Sequence, residues 1–428
     1  MSATNHRWQR DVQIYKYPLL SAPFLFWGVL AIIGITLSLG RLFTGLWFTG
    51  MSDDYAWGVW KTFNVMTLTA LGSGGLAVGV FSYVFGAKKL HVVMRTALAS
   101  SLLFYTTGML ALGIDVGRPW NLYHLFLPWN WNLHSSLFEV AACMTAYVVL
   151  FLSFENIPML LEKAHMVGDA ERRAKLNVWM HRVKRMLPWM IAAAYVLPMM
   201  HQSSLGSLMV IAGHKVHPLW QTQMLPALYL VQAFVCGFAA VIFILMASSL
   251  AWQRPLDMPV LADLSKYMSW TAFAFIVLRA ADVLIRGVVV EAFRPTWYAV
   301  LFHAENLLVL VPALLLLSPV RRMTPRIVFV ASILTAVGGI LYRFTPTTLA
   351  YRAGHPSVYF PKIAEVLMSL GYIGLAVVLF IWAAKKFAIL PGSINDWNDY
   401  VKHVTSKDAH GQETIKGLRI EHGAATDH

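Results

Sequence analysis

The chain has 428 residues, 58% of them hydrophobic and 13% charged, with a formal net charge of +13. A soluble protein of this length needs far more polar surface, so the composition excludes a soluble globular fold and indicates a polytopic membrane protein. The basic excess does not mark nucleic-acid binding, because Lys and Arg gather in alternate loops, as membrane topology requires.

The amino-terminal segment 1–21 is polar, carries Arg7, Arg10 and Lys16, and reads as a cytoplasmic lead-in without a cleavable leader. Ten apolar segments follow, at 22–40, 59–86, 95–113, 134–154, 187–213, 224–251, 267–287, 296–318, 325–343 and 363–388. Each is near the roughly 20 residues that cross a bilayer. Together they predict an all-α transmembrane domain over 22–390. The second segment holds Gly72, Gly74, Gly75 and Gly79, and the four-residue step from Gly75 to Gly79 lets helices approach closely. The stretch 155–186 carries Lys163, Arg172, Arg173, Lys175, Arg182, Lys184 and Arg185. It reads as a short amphipathic cytoplasmic helix on anionic headgroups. Residues 391–428 read as a flexible cytoplasmic tail. The loop charge bias predicts that both termini are cytoplasmic.

Cys143 and Cys236 lie inside apolar segments, and the chain has no CxxCH, Cys-rich or zinc-type spacing. It is therefore expected to carry no iron–sulfur cluster, covalent haem or metal of its own. Ionisable residues at membrane depth are functional candidates by default, because unpaired charge there is costly. The run Ile114-Asp115-Val116-Gly117-Arg118-Pro119-Trp120 ends the third segment, and His134 and Glu139 open the fourth. Lys61, Asn64, Arg279, Asp282, His303 and Glu305 fall at the same, periplasmic depth. His201 falls near mid-membrane in a polar setting, followed by Gln202, Ser203 and Ser204. The cytoplasmic half reads as almost purely apolar. Local spacing offers two ion pairs, Asp115 with Arg118 and Arg279 with Asp282, while Lys61 can snorkel to the interface.

A polar pocket near one face suits a quinone head, which needs hydrogen-bonding partners, a titratable relay and an apolar slot. Asp115, Glu139 and His201 are the candidate proton-handling groups; Asp115, Arg118, Trp120, His134 and Glu139 are the candidate binding groups. Two other classes compete. A proton-coupled transporter could use Glu139, His201 and Asp282, although carrier sites usually lie at the midplane. A di-haem cytochrome needs paired histidines at matched depth, and His201 has no obvious partner.

The Asp-x-Gly-Arg-Pro box at Asp115, Gly117, Arg118 and Pro119 resembles the signature of the NrfD/PsrC family of respiratory membrane anchors. Further matching stretches are Ala56 to Trp60, Ile114 to Leu122, Leu137-Phe138-Glu139, Cys143-Met144-Thr145, and His201 to Ser207 continuing through Lys215 to Gln221. They are most similar to the HybB-like branch, which anchors periplasmic nickel–iron hydrogenases. The second half matches more loosely, through Leu278-Arg279, Glu305 and Pro312. The resemblance implies two four-helix bundles with flanking helices and a quinone site near the periplasmic face. It also implies menaquinone or ubiquinone as bound substrate, no haem, and proton movement at the Asp115 box. Implied partners are a periplasmic ferredoxin-like four-cluster iron–sulfur subunit and hydrogenase large and small subunits. The same anchor role in sulfur-compound or multihaem cytochrome complexes is the alternative. Asn64 stands where related chains can carry an acid, which puts a relay through that position in doubt.

Overall fold

Lipid offers backbone groups no hydrogen-bond partners, so a spanning chain satisfies them internally, as helices. A computed structural model describes residues 17–132, 134–167, 170–254, 256–352, 359–387, 389–391, 406–407 and 413–414. Among them the long helices are α1 Ala22–Thr44, α2 Val59–Val84, α3 Lys88–Asp115 and α4 Ser136–Leu161. After α5, Ala170–Ala212, come α6 Leu225–Ala251, α7 Met258–Ile285, α8 Trp297–Leu315, α9 Pro325–Leu349 and α10 Ile363–Lys386. All but α5 are long and apolar enough to cross a membrane, nine among the described residues. The expected fifth span, 187–213, is the second half of the 43-residue α5, where the polar run His201 to Ser204 dilutes its hydropathy.

The basic stretch 155–186 differs from the expected separate helix. The helix of α4 runs on to Val167 and α5 begins at Ala170, so two long helices extend beyond the apolar zone and pack on each other. Residues 1–16 and nearly all of the expected tail lie outside the described residues. Within the tail, Ser406-Lys407 pairs antiparallel with Glu413-Thr414.

Helices α2 to α5 close one four-helix bundle and α6 to α9 a second, with α6 packed against both α2 and α5. The bundles meet closely because small residues line the seam: a Cβ on Gly237 would lie 2.6 Å from the Ser73 carbonyl oxygen. Helices α1 and α10 pair outside them, and a Cβ on Gly34 would lie 2.5 Å from the Gly371 Cα. Leu25, Phe26, Val29 and Ile32 of α1 point outwards, as lipid-facing residues do.

Three helices contain four π-helical turns: Thr62–Thr67 and Val80–Val84 in α2, Tyr147–Leu152 in α4 and Thr345–Leu349 in α9. Such turns shift the side-chain register by one residue and recur at functional sites. Two of them flank Lys61 and Arg343. Asp115 marks one end of the molecule, the Asp115 end; the opposite one is the basic end.

Candidate functional site

The Asp-x-Gly-Arg-Pro box works as a helix stop. Helix α3 ends at Asp115, Gly117 takes φ +75°, and Pro119 opens a short 3-10 helix, Pro119–Phe126. That left-handed turn favours glycine. It swings Arg118 off the helix, so the expected Asp115–Arg118 pair does not form. Asp115 pairs instead with Lys61 of α2 at 2.9 Å, and the buried Arg41 of α1 donates to the Asp115 carbonyl oxygen at 3.3 Å. Lys61 also sits 4.8 Å from the centre of the Trp57 ring. The box thus ties α1, α2 and α3 together at one point.

Arg118 is exposed and lines an open cleft of about 660 Å³ with Asn121, Leu122, His124, Leu137 and Phe138. Its guanidinium has no hydrogen-bond or ion-pair partner among the described residues. Trp120 and His134 are exposed and stand outside the cleft lining. Ser135, which does line it, caps α4 by accepting from the Phe138 backbone N–H at 3.3 Å. Glu139 is half-buried in the first turn of α4, four residues on. Its carboxylate has no partner among the described residues. His201 is fully buried; its Nδ1 lies 3.1 Å from the Val140 carbonyl oxygen, and its Nε2 has no partner among the described residues. The structure therefore brings Glu139, His201 and the Arg118 cleft to one end of the first bundle, with the Lys61–Asp115 pair closing α3 beside them.

The second bundle is organised differently. The expected Arg279–Asp282 pair is replaced by two others. Arg279 pairs with Glu305, both at most 3% exposed, and Asp282 pairs with Arg286 at 2.7 Å. Glu305 also accepts from Trp220 Nε1 at 2.7 Å and Thr345 Oγ1 at 2.8 Å. Trp220 belongs to the loop between α5 and α6, which caps this bundle; Arg286 holds that loop through the Pro218 and Gln221 carbonyl oxygens at 2.6 and 2.9 Å. His303 is exposed, with Nε2 2.8 Å from the Ala292 carbonyl oxygen.

His217 sits in that cap, its ring stacked on Tyr298 at 4.3 Å. Burial, and then the Arg352 charge, hold its imidazole down from 6.5 to about 4, against a smaller opposing pull from Glu291. Between those two values the unfolded chain binds a proton that the folded chain does not, so stability falls as pH falls through the window. The melting temperature of the purified protein is expected to drop between about pH 7 and pH 4.5. His217→Asn should make that drop shallower, and an unchanged slope would show that the cap does not titrate through His217.

Several buried groups went unnoticed in the sequence. Arg41, Tyr105, Arg343, Gln232 and Glu365 are each at most 8% exposed. Glu365 opens α10 and accepts from the Gly50 backbone N–H at 2.6 Å and from the Tyr359 hydroxyl at 2.7 Å. The expectation of an apolar basic half also needs correction. Glu155 and Asn156, beyond the midpoint of α4 towards the basic end, are at most 9% exposed.

Two helical bundles with a half-buried acid, a buried imidazole and a guanidinium without a partner among the described residues, gathered off-centre, define an integral membrane protein with a polar site near one face. The chain belongs to the NrfD family, whose model, described as polysulphide reductase, NrfD, matches residues 47–349. It is 35% identical over 401 residues to a protein of Escherichia coli (strain K12) named "Probable Ni/Fe-hydrogenase 2 b-type cytochrome subunit", covering 93% of this chain and 99% of that one. It is 25% identical over 390 residues to the menaquinone reductase integral membrane subunit of Nitratidesulfovibrio vulgaris, covering 86% and 88%. A selenate reductase subunit of Mesobacillus selenatarsenatis is 21% identical over 393 residues, covering 82% and 90%.

Proposed function

We propose that this chain is the quinone-reactive anchor subunit of a respiratory oxidoreductase in the bacterial inner membrane. Its Asp115 end faces the periplasm and both termini lie in the cytoplasm. Electrons arrive from a periplasmic iron–sulfur subunit, that of a nickel–iron hydrogenase, and leave on menaquinone. The observation that carries this reading is the cleft walled by Arg118, Leu137 and Phe138, beside the Lys61–Asp115 pair, whose α4 lining residues flank Glu139. The hydrogenase and menaquinone reductase relatives support the choice of donor and acceptor.

The parts divide by chemistry. Arg118 offers donors that have no partner among the described residues and can orient a head-group oxygen. Leu122, Leu137 and Phe138 supply apolar wall for the ring and tail. Two-electron reduction of a quinone takes up two protons, and Glu139 and His201 are the groups placed to hold and pass them. Oxidation of the donor outside, with protons moved through Glu139 and His201, would couple electron flow to proton translocation.

Haem, which one relative's name calls for, does not fit these residues. Among the residues with described side chains, His201 is the one histidine buried inside a helix, and its Nδ1 already faces the Val140 carbonyl. A bis-histidine site needs a second at matched depth.

Co-purification in mild detergent tests the proposal. A four-cluster iron–sulfur subunit with hydrogenase large and small subunits is the expected result. A molybdenum or multihaem enzyme would keep the anchor role and replace hydrogen as donor. Absence of any redox partner, even after crosslinking, would overturn it and favour a proton-coupled carrier.

A further inference from the structure

One buried hydrogen-bonded chain crosses from the first bundle to the second. On the first side, Ser73 Oγ of α2 lies 3.4 Å from the Tyr105 hydroxyl of α3, to which Gln202 Nε2 of α5 donates at 3.1 Å. At the centre, Arg343 of α9 donates through Nη2 to Gln202 Oε1 at 3.1 Å and to the Tyr229 carbonyl oxygen at 2.7 Å. Its Nε donates to Gln232 Oε1 of α6 at 2.7 Å, and Gln232 Nε2 donates on to Cys236 Sγ at 3.0 Å. Arg343, Gln202, Gln232 and Tyr105 are all 0% exposed. The guanidinium lies 4.0 Å from the centre of the Tyr229 ring. Among the described residues no carboxylate stands within ion-pair distance of it, and its Nη1 has no partner.

The direction of these bonds is forced. Arginine carries five N–H donors and no acceptor, and it does not deprotonate in proteins. Both glutamines must therefore turn their oxygens towards Arg343 and their NH2 groups away from it. Donors radiate outwards from Arg343 into each bundle. A proton relay needs every member to accept on one side and release on the other, and at Arg343 no member can accept. The unneutralised positive charge adds a second obstacle, since it repels any proton approaching along the chain, as fixed arginines and dipoles do in pores that exclude protons.

We propose that Arg343 is a proton barrier at the junction of the two bundles, which stops protons held around Glu139, His201 and Tyr105 from passing through the second bundle and so from leaking across the membrane. The charged and titratable groups around it are Tyr105 of α3, His201 of α5, Tyr229 and Cys236 of α6, and Tyr342 of α9 itself. The Glu305 carboxylate of α8 lies beyond Tyr229 and Tyr342, bonded by Thr345, and is already paired with Arg279, so among the described residues no uncompensated negative charge faces Arg343. A purely structural arginine would be served equally well by an acid beside it; a barrier would be abolished by one.

That contrast sets the experiment, which needs neither quinone nor a redox partner and so stands or falls apart from the proposed function. The full chain is reconstituted in lipid vesicles loaded with a pH-sensitive dye, and a pH step is imposed with the membrane potential clamped. Gln202→Glu keeps the shape and the acceptor for Arg343, but neutralises the charge and puts a protonatable group in the chain. Wild-type vesicles and Arg343→Lys vesicles, which keep the charge, should hold the gradient as protein-free vesicles do. Gln202→Glu should dissipate it at least about tenfold faster. Gln232→Glu, on the other side of Arg343, should do the same and covers a failure of the first variant to fold. A leaky wild type, or folded glutamate variants as tight as wild type, would overturn the proposal.

Discussion

Asp115→Asn is expected to lower electron flow from the partner to menaquinone by about 100-fold while the complex still assembles, the scale at which a preorganised electrostatic group is lost. Asp115 does two jobs through different atoms. Its carboxylate holds Lys61 at 2.9 Å, and its carbonyl oxygen accepts from Arg41. The amide variant leaves the backbone contact and the helix stop at Gly117 in place, so the fold is kept. It removes the charge that fixes Lys61 beside the end of α3. Lys61→Met should fall by a similar factor. The double variant should be little worse than either single one, because both remove the same interaction. Measurement in isolated membranes with a menaquinone analogue distinguishes the cases. Full activity in Asp115→Asn would sink the role of the box, and multiplicative losses would show that the two residues act separately.

The largest stability effect is expected at Glu305. Its partner Arg279 is 3% exposed, and its other contacts come from Trp220 and Thr345. Glu305→Ala leaves an uncompensated guanidinium inside the second bundle, which typically costs about 3–5 kcal/mol. It also frees Trp220, the inward anchor of the loop between α5 and α6. Thermal unfolding of the detergent-solubilised protein should show a large fall in midpoint. Replacing both partners, Arg279→Met with Glu305→Leu, should recover the part due to the stranded charge, because an apolar pair of similar volume spares the desolvation of two charges, while Trp220 Nε1 still lacks its acceptor. A mild Glu305→Ala variant would mean that the pair reaches water.

Hydropathy alone located most of the membrane helices, because lipid demands long apolar runs whatever the tertiary arrangement. It also located the Asp115 box, Glu139 and His201, since polar residues stand out against such runs. Pairing was the part it could not supply. Asp115 and Arg118 are three apart, which on a continuing helix would place them together; Gly117 ends the helix between them. Arg279 and Asp282 are likewise one turn apart, yet Glu305 and Arg286 present better partners. Arg343, near the end of α9, resembles a residue that snorkels to the interface. Its burial depends on Gln202 and Gln232, which lie 141 and 111 residues away on other helices. Gln202 stands out in the sequence only as part of the polar run after His201, and Gln232 gives no signal there. Glu365 was hidden for the same reason, since the backbone N–H of Gly50 that it binds lies 315 residues away.

The most direct test of the quinone reading is photo-crosslinking of a menaquinone analogue, with its reactive group on the head, in native membranes. Labelling concentrated between Val116 and Ala141, the segment that supplies the cleft lining, and lost on competition with menaquinone, is the expected result. Labelling that avoids this segment, or that menaquinone does not compete, would contradict a quinone site at the Arg118 cleft.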